Sequence, residues 1–234
     1  MGLLTDLLGD GNATSSDVPD LIAGLICWVD ADHFASTNGI TARALADRSP
    51  YRSALTGTAG TFATSAFGTE PAIRFTGGGG YTSRLTSGAK PFTMFAVLSL
   101  SSMAAGPTIM GSTPAGTGFQ VRVSAAGQIE LLQQDVGGIG ASTGSALTTA
   151  TPYVVTVTYS SVGAWAMWVN GAASGSGITN VSPTAGSLMV AARDGAYNPF
   201  SGDLGAFLLY DNELSPTDID AVEAYLAGRY GITV

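Results

Sequence analysis

The chain of 234 residues contains one lysine, one cysteine and one histidine, and only 11% of its residues are charged. Each scarcity removes a class of function. With Cys27 alone there is no intrachain disulfide and no cysteine-based metal cluster. Set in the apolar run LIAGLICWV, it reads as a buried, inert thiol. Nine basic residues stand against seventeen acidic ones, for a formal net charge of -8. Lys90 and the arginines are scattered, so the clustered cations that hold phosphate backbones or anionic lipid surfaces are missing. Neither nucleic acid nor a membrane is an expected partner. LIAGLICWV is the longest strongly apolar run and is far too short to cross a bilayer.

What is present is a succession of short apolar strands broken by Gly, Ser and Thr. PFTMFAVLSL (91–100) is apolar on both alternating faces, as expected of a central strand buried on both sides. GFQVRVSAAGQIELLQQ reads as a hairpin turning near Ala126 and Gly127. YVVTVTY, SLMV and LGAFLLY are further strands. WAMWVNG carries an Asn-Gly turn, the strongest short hairpin signal. PAIRFTG runs into the glycine turn 77–80. The pattern predicts one antiparallel β-sandwich and no second core.

The two ends differ from the middle. Near the C-terminus, Ser215 caps a helix, Pro216 takes its first position, Asp218 completes a capping-box pattern, and Gly231 stops it. Ile219, Val222, Tyr225 and Leu226 share one face, expected to cover an edge or end of the core. Glu213 and Glu223 read as solvated charge. At the N-terminus Leu3, Leu4, Leu7 and Leu8 form an apolar stripe at helical spacing, followed by the polar linker DGNATSSDVPD. A helix this short is marginal alone, so it either frays or is held by a partner surface or the protein's own body; residues 1–20 are read as an attachment segment before the domain of residues 21–234. The opening MGLLTDLLGD has no basic n-region or cleavage pattern, so synthesis in a cytoplasm without a secretory signal is expected.

In order and spacing, LICWVDADH, AIRFTGGGGYTSR, PFTMFAVLSL, YVVTVTYSSVGAWAMWVNG and FSGDLGAFLLYDNELSPTDIDAVEAYLAGRYGI resemble a LamG-like jelly-roll domain of the concanavalin A-like lectin/glucanase superfamily. The resemblance implies two curved antiparallel sheets. Ala206 stands where the family often has Glu in its penultimate strand. It does not fix a function, because this fold hosts lectins, hydrolases, adhesion modules and virion proteins.

Catalysis finds little support. The superfamily's retaining glucanases share a Glu-x-Asp-x-x-Glu strand that sets two carboxylates about 5 Å apart; none of Glu70, Glu130, Glu213 and Glu223 lies in such a motif. GASTG (140–144) matches G-x-S-x-G around Ser142, but it lacks the strand-to-helix context and a later histidine; His33 lies far upstream and reads as a packing residue. The expectation is a protein without enzymatic activity or cofactor. The resemblance leaves calcium open, with Asp30 and Asp32 as weak oxygen ligands.

For glycan binding, Trp165, Met167 and Val169 take one face of their strand and are assigned to the core. That leaves Trp168 on the other, beside Asn170. Tyr81 after the glycine turn, and Asp194, Tyr197 and Asn198 in ARDGAYNPF, complete the candidate sugar platform. A covering sheet or partner subunit over Trp168 is the competing reading. The low-charge surface and leucine-striped tail also resemble phage virion components, which need no secretion signal. The leading expectation is a structural or adhesion protein of a phage-like virion surface, a head decoration, spike or tail component. It would be held to other virion proteins through Leu3, Leu4, Leu7 and Leu8, form a homo-oligomer or larger assembly, and bind host surface polysaccharide. The alternative is a stand-alone or secreted lectin-like module.

Overall fold

The computed structural model describes residues 18–33, 37–87, 91–112, 118–133, 137–141, 144, 146–179, 186–193 and 198–234. Its strands are β1 (Leu25–Asp30), β2 (Thr41–Leu45), β3 (Leu55–Phe67), β4 (Glu70–Thr76), β5 (Tyr81–Ser87), β6 (Phe92–Leu100), β7 (Thr108–Ser112) and β8 (Phe119–Val123). There follow β9 (Ile129–Gln133), β10 (Gly137–Ala141), β11 (Pro152–Tyr159), β12 (Ala164–Val169), β13 (Ala172–Ile178), β14 (Gly186–Val190) and β15 (Ser201–Tyr210), then the helix α1 (Pro216–Tyr230).

All named strands pair antiparallel. Their order is β10-β9-β8-β7-β14-β5-β3-β4-β15-β6-β11-β12-β13, with β1 added on β15 and β2 on β3. The path folds into the two layers of a jelly-roll sandwich, because β3 serves both. It pairs β5 through Thr56 and Gly57, then β4 from Gly60 to Phe67. Glycine is needed at this corner: a Cβ on Gly57 would lie 2.5 Å from the Gly80 carbonyl, and one on Gly60 would lie 2.3 Å from Ile73.

Side-chain alternation then divides the core. Phe92, Met94, Ala96, Leu98 and Leu100 of β6 enter the cluster between the layers, with Val121, Leu131, Val155, Val190 and Phe207. The opposite side of the same strands, Phe95, Val97, Val154, Ala206 and Leu208, is also buried, under α1. Strand β6 is therefore apolar on both faces because a sheet covers one and a helix the other. Cys27 lies fully buried in the first cluster, and burial pushes its thiol pKa up.

The helix begins and ends on the signals in its sequence. Ser215 Oγ accepts from the Asp218 N–H at 3.2 Å and donates to the Asp218 carboxylate at 2.7 Å. Gly231 closes the helix at φ 64°, with the Ile232 N–H bonded to the Ala227 carbonyl at 2.9 Å. Two expectations need correction. α1 lies on the outer face of the layer containing β15, β6 and β11, not at an edge or end of the core. Glu223 is not solvated: it is 2% exposed and takes the hydroxyl of Thr156 on β11.

Candidate functional site

The outer face of the α1-bearing layer is where side chains remain available beside a concavity. Beyond β11 the helix no longer covers the sheet, and β12 presents Trp168 there, directly opposite Thr156. Trp168 is half-buried, with one side packed on the helix cluster. The other side borders an open groove of about 420 Å³, whose lining includes Ala166, Ala173, Ser174, Gly175 and Ser176. These small residues come from the β12–β13 hairpin, whose turn takes Asn170 and Gly171 through φ 49° and 73°. The register shifts between Met167 and Trp168, leaving Ser174 as an extra residue in β13. Its hydroxyl is enclosed and finds no hydrogen-bond partner among the described residues. Among the described residues no charged side chain lines the groove.

Of the sugar-binding candidates among the described residues, only Trp168 sits at this groove. Asn170 is close in sequence, but its Oδ1 accepts from the Val154 N–H at 2.8 Å, so that oxygen holds the sheet together. Tyr81 is corrected outright. It is fully buried, its hydroxyl donates to the Ala42 carbonyl at 2.5 Å, its ring meets Phe75 edge-on, and burial pushes its pKa up to about 12. Asn198 bonds through its carbonyl to the N–H of Thr108 on β7, in the opposite layer, and does not join Trp168. Asp194, Tyr197, Ser142, Leu3, Leu4, Leu7 and Leu8 lie outside the described residues.

Asp30 and Asp32 hold arginine, which corrects their reading as metal ligands. Asp30 is fully buried, with Arg229 Nη1 at 2.7 Å, Arg48 Nη1 at 3.4 Å and the Tyr230 hydroxyl at 3.0 Å. Arg229 also pairs with Asp32. Burial pushes the Asp30 carboxyl up to about 6 against the pull of Arg229. Two guanidinium groups therefore fill the space a cation would need. The cluster fastens the end of α1 to β1. Asp30 lies opposite Ala206 in the pairing of β1 with β15, so the buried carboxylate of this region comes from β1. Among the described residues no group of three or more His, Cys, Asp or Glu side chains is placed to hold a metal.

Sequence reasoning missed a second concavity on the same outer face, along β15 and β6 past the ends of their helix-covered stretches. Its polar residues are Arg74, Thr76, Ser99, Ser101, Ser201 and Asp203. The signal was present as polar positions alternating with apolar ones at the ends of PAIRFT, VLSLSS and FSGDL. Only the fold reveals that these ends meet.

A profile of the concanavalin A-like lectin/glucanases superfamily matches residues 76–220, more than half of the chain. No curated protein sequence matches it. Among solved structures, Trypanosoma rangeli sialidase is similar with a TM-score of 0.60 at 15% identity, over 91% of this chain and 34% of the sialidase. A mutant of that sialidase displaying trans-sialidase activity gives 0.61 at 13% identity, over 94% and 36%. Domain 4 of AbnA, a GH43 extracellular arabinanase from Geobacillus stearothermophilus, solved in complex with arabinotriose, gives 0.60 at 15% identity, over 84% and 97%. The chain thus spans about a third of the sialidases' length and nearly all of the arabinanase domain. At such identities the likeness is one of fold.

Proposed function

The chain belongs to the concanavalin A-like lectin/glucanases superfamily, and from that lectin-like fold we propose that it is a carbohydrate-binding module that takes sugar beside Trp168. The observation that carries this is the partly exposed indole face bordering an open groove whose walls are the small residues Ala173, Ser174, Gly175 and Ser176. The apolar side of a sugar ring packs on indole, and small residues beside it leave room for the ring. The arabinanase domain of similar fold, solved with arabinotriose, supports the reading.

The module works without catalysis or a resident cofactor. Among the described residues, Glu130 is paired with Arg122, Asp203 with Arg74, and Asp30 and Asp32 with Arg229, while Glu223 is buried between α1 and β11. This leaves no pair of carboxylates flanking the Trp168 groove for glycoside hydrolysis. In its wider setting the domain of residues 21–234 is displayed on a phage-like virion surface. Residues 1–20 attach it to other virion proteins through their leucines, and the groove faces host polysaccharide. The low-charge, hydroxyl-rich surface supports that setting.

A glycan array probed with the full chain and with Trp168→Ala tests the binding claim. Retention of neutral glycans by the wild type, clearly weakened in the variant at unchanged melting temperature, is expected. Equal retention by both, or none by either, would overturn it. Deleting residues 1–20 should abolish incorporation into particles; undiminished incorporation would refute the attachment role.

A further inference from the structure

The second concavity, about 490 Å³, is built across β4, β15 and β6. Its centre is Arg74, whose Nε and Nη2 meet Asp203 Oδ1 and Oδ2 at 2.7 and 2.9 Å. The two residues are directly opposite in the β15–β4 pairing, and Ser99 is directly opposite Asp203 on β6. A second polar row runs parallel to the first. Thr76 pairs with Ser201, and Ser201 Oγ is 2.7 Å from Ser101 Oγ. Across the strands these side chains recur about every 4.8 Å, roughly the breadth of one sugar ring. The remaining lining residues carry no polar side chain: Ala66, Phe75, Leu100, Ala150 and Gly202. Gly202 can carry no side chain, because its Cβ would stand 2.1 Å from the Ser99 carbonyl.

The donor and acceptor count identifies the ligand class. A guanidinium has five N–H groups, and Asp203 uses two of Arg74's; Arg74 is also half exposed at 52%. The carboxylate retains lone pairs, and the serine and threonine hydroxyls both donate and accept. The bidentate pair is fixed before any ligand arrives, so little side-chain entropy is lost on binding. Because Asp203 neutralises Arg74, and the chain as a whole is acidic, an anion gains nothing here. We propose that the Arg74–Asp203 groove is a second carbohydrate subsite. It is specific for neutral, polyhydroxylated sugars, held by a hydrogen-bond grid without aromatic stacking, and is separate from the Trp168 groove. Two such sites on one face bind a polysaccharide with avidity that neither has alone.

The test is an NMR titration of the 15N-labelled full chain with arabinotriose, with maltotriose, and with a galacturonate trimer as charged counter-probe. The amides of Ser99, Ser101, Ser201 and Asp203 are expected to shift with a neutral probe and not with the charged one. Arg74→Lys keeps the charge but loses the fork, and should weaken that response at least tenfold while leaving shifts around Trp168 unchanged. Trp168→Ala should do the reverse. Asp203→Asn, which keeps the side-chain shape, should also weaken it. Groove amides that stay still with both neutral probes, or that respond equally in Arg74→Lys, overturn the proposal, whether or not the Trp168 region responds. Tighter binding of the charged trimer overturns the ligand class. A response confined to the groove amides supports this subsite and counts against sugar binding at Trp168, so the two readings fail separately.

Discussion

Glu223 of α1 receives the hydroxyl of Thr156 from β11 in the middle of the helix–sheet interface, and no arginine shares the site among the described residues. Burial raises its pKa above the ordinary glutamate value, Thr156 opposes the shift, and Asp220 adds to it. A carboxyl whose folded pKa is raised binds its proton more readily folded than unfolded, so its contribution to stability is present at low pH and lost as pH rises through the folded value. Glu223→Gln keeps an acceptor for Thr156 without the charge. The variant should melt a few degrees above wild type at neutral pH, with the gap closing as pH falls towards the ordinary glutamate range. Thermal melts across that range check it; a variant less stable at neutral pH would contradict the assignment.

Asp30 is also buried, but it faces Arg229 and Arg48. Removing one partner of a buried pair costs about 3–5 kcal/mol because the other charge is stranded. Arg229→Met should show a loss of that order at pH 7.5. The loss should shrink on acidification: burial already lifts Asp30 to about 6, the variant lifts it further, and a protonated Asp30 no longer needs a cation. Chemical denaturation at pH 7.5 and 4.5 measures both values. A deficit that grows towards acid would show that Asp30 does not control the end of α1.

How much of this was legible in sequence depends on contrast. The α1 caps, the Asn-Gly hairpin and β6 were readable because each concentrates several signals in a few residues. Strand β3, LTGTAGTFATSAF, was not, because Gly, Ala and Thr dilute the alternation and the register shifts between Ala63 and Phe67. Glu223 was misread although it lies on the apolar stripe, four residues after Ile219 and three before Leu226. Alternation alone placed Trp168 on the outer face. Arg74 and Asp203 lie 129 residues apart, and no local pattern reports a pairing made by strand order.

Asp47 is a buried carboxylate of another kind. Its Oδ1 accepts from the N–H groups of Trp28 and Ser49, and its Oδ2 from Ser49 Oγ and the Ser53 N–H, each at 2.9 Å. It ties the segment after β2 to β1. Asp47→Ala leaves buried donors without partners, at about 1–3 kcal/mol for each one that water cannot reach, so a loss of at least about 3 kcal/mol is expected. Asp47→Asn retains Oδ1 for the Trp28 and Ser49 N–H groups and should lose clearly less. Denaturant midpoints at constant slope decide this; equal losses would mean that charge, and not acceptor count, is what matters at this position.

The sandwich closes at its free edges through Trp165. This ring lies against Gly140 of β10 and Gly177 of β13, where an added Cβ would stand 2.3 and 2.8 Å from ring atoms. The last strand of each layer therefore approaches the other across one indole, and the Gly144 N–H bonds to the Ser174 carbonyl at 3.1 Å in the same region. Gly140→Ala forces a methyl group into the ring and should destabilise by about 1–3 kcal/mol. If the clash is the cause, the same substitution in a Trp165→Ala background enters vacated space and should cost close to nothing. The double-mutant cycle would then show a coupling within the roughly 0.5–3 kcal/mol typical of residues in contact. Additive effects would place the strain elsewhere, in the β10 backbone. The variant also bears on sugar binding. Gly144 lines the Trp168 groove opposite Ser174, so prising the edges apart should weaken neutral-glycan retention, whereas the Arg74 groove, on β4, β15 and β6, should be unaffected.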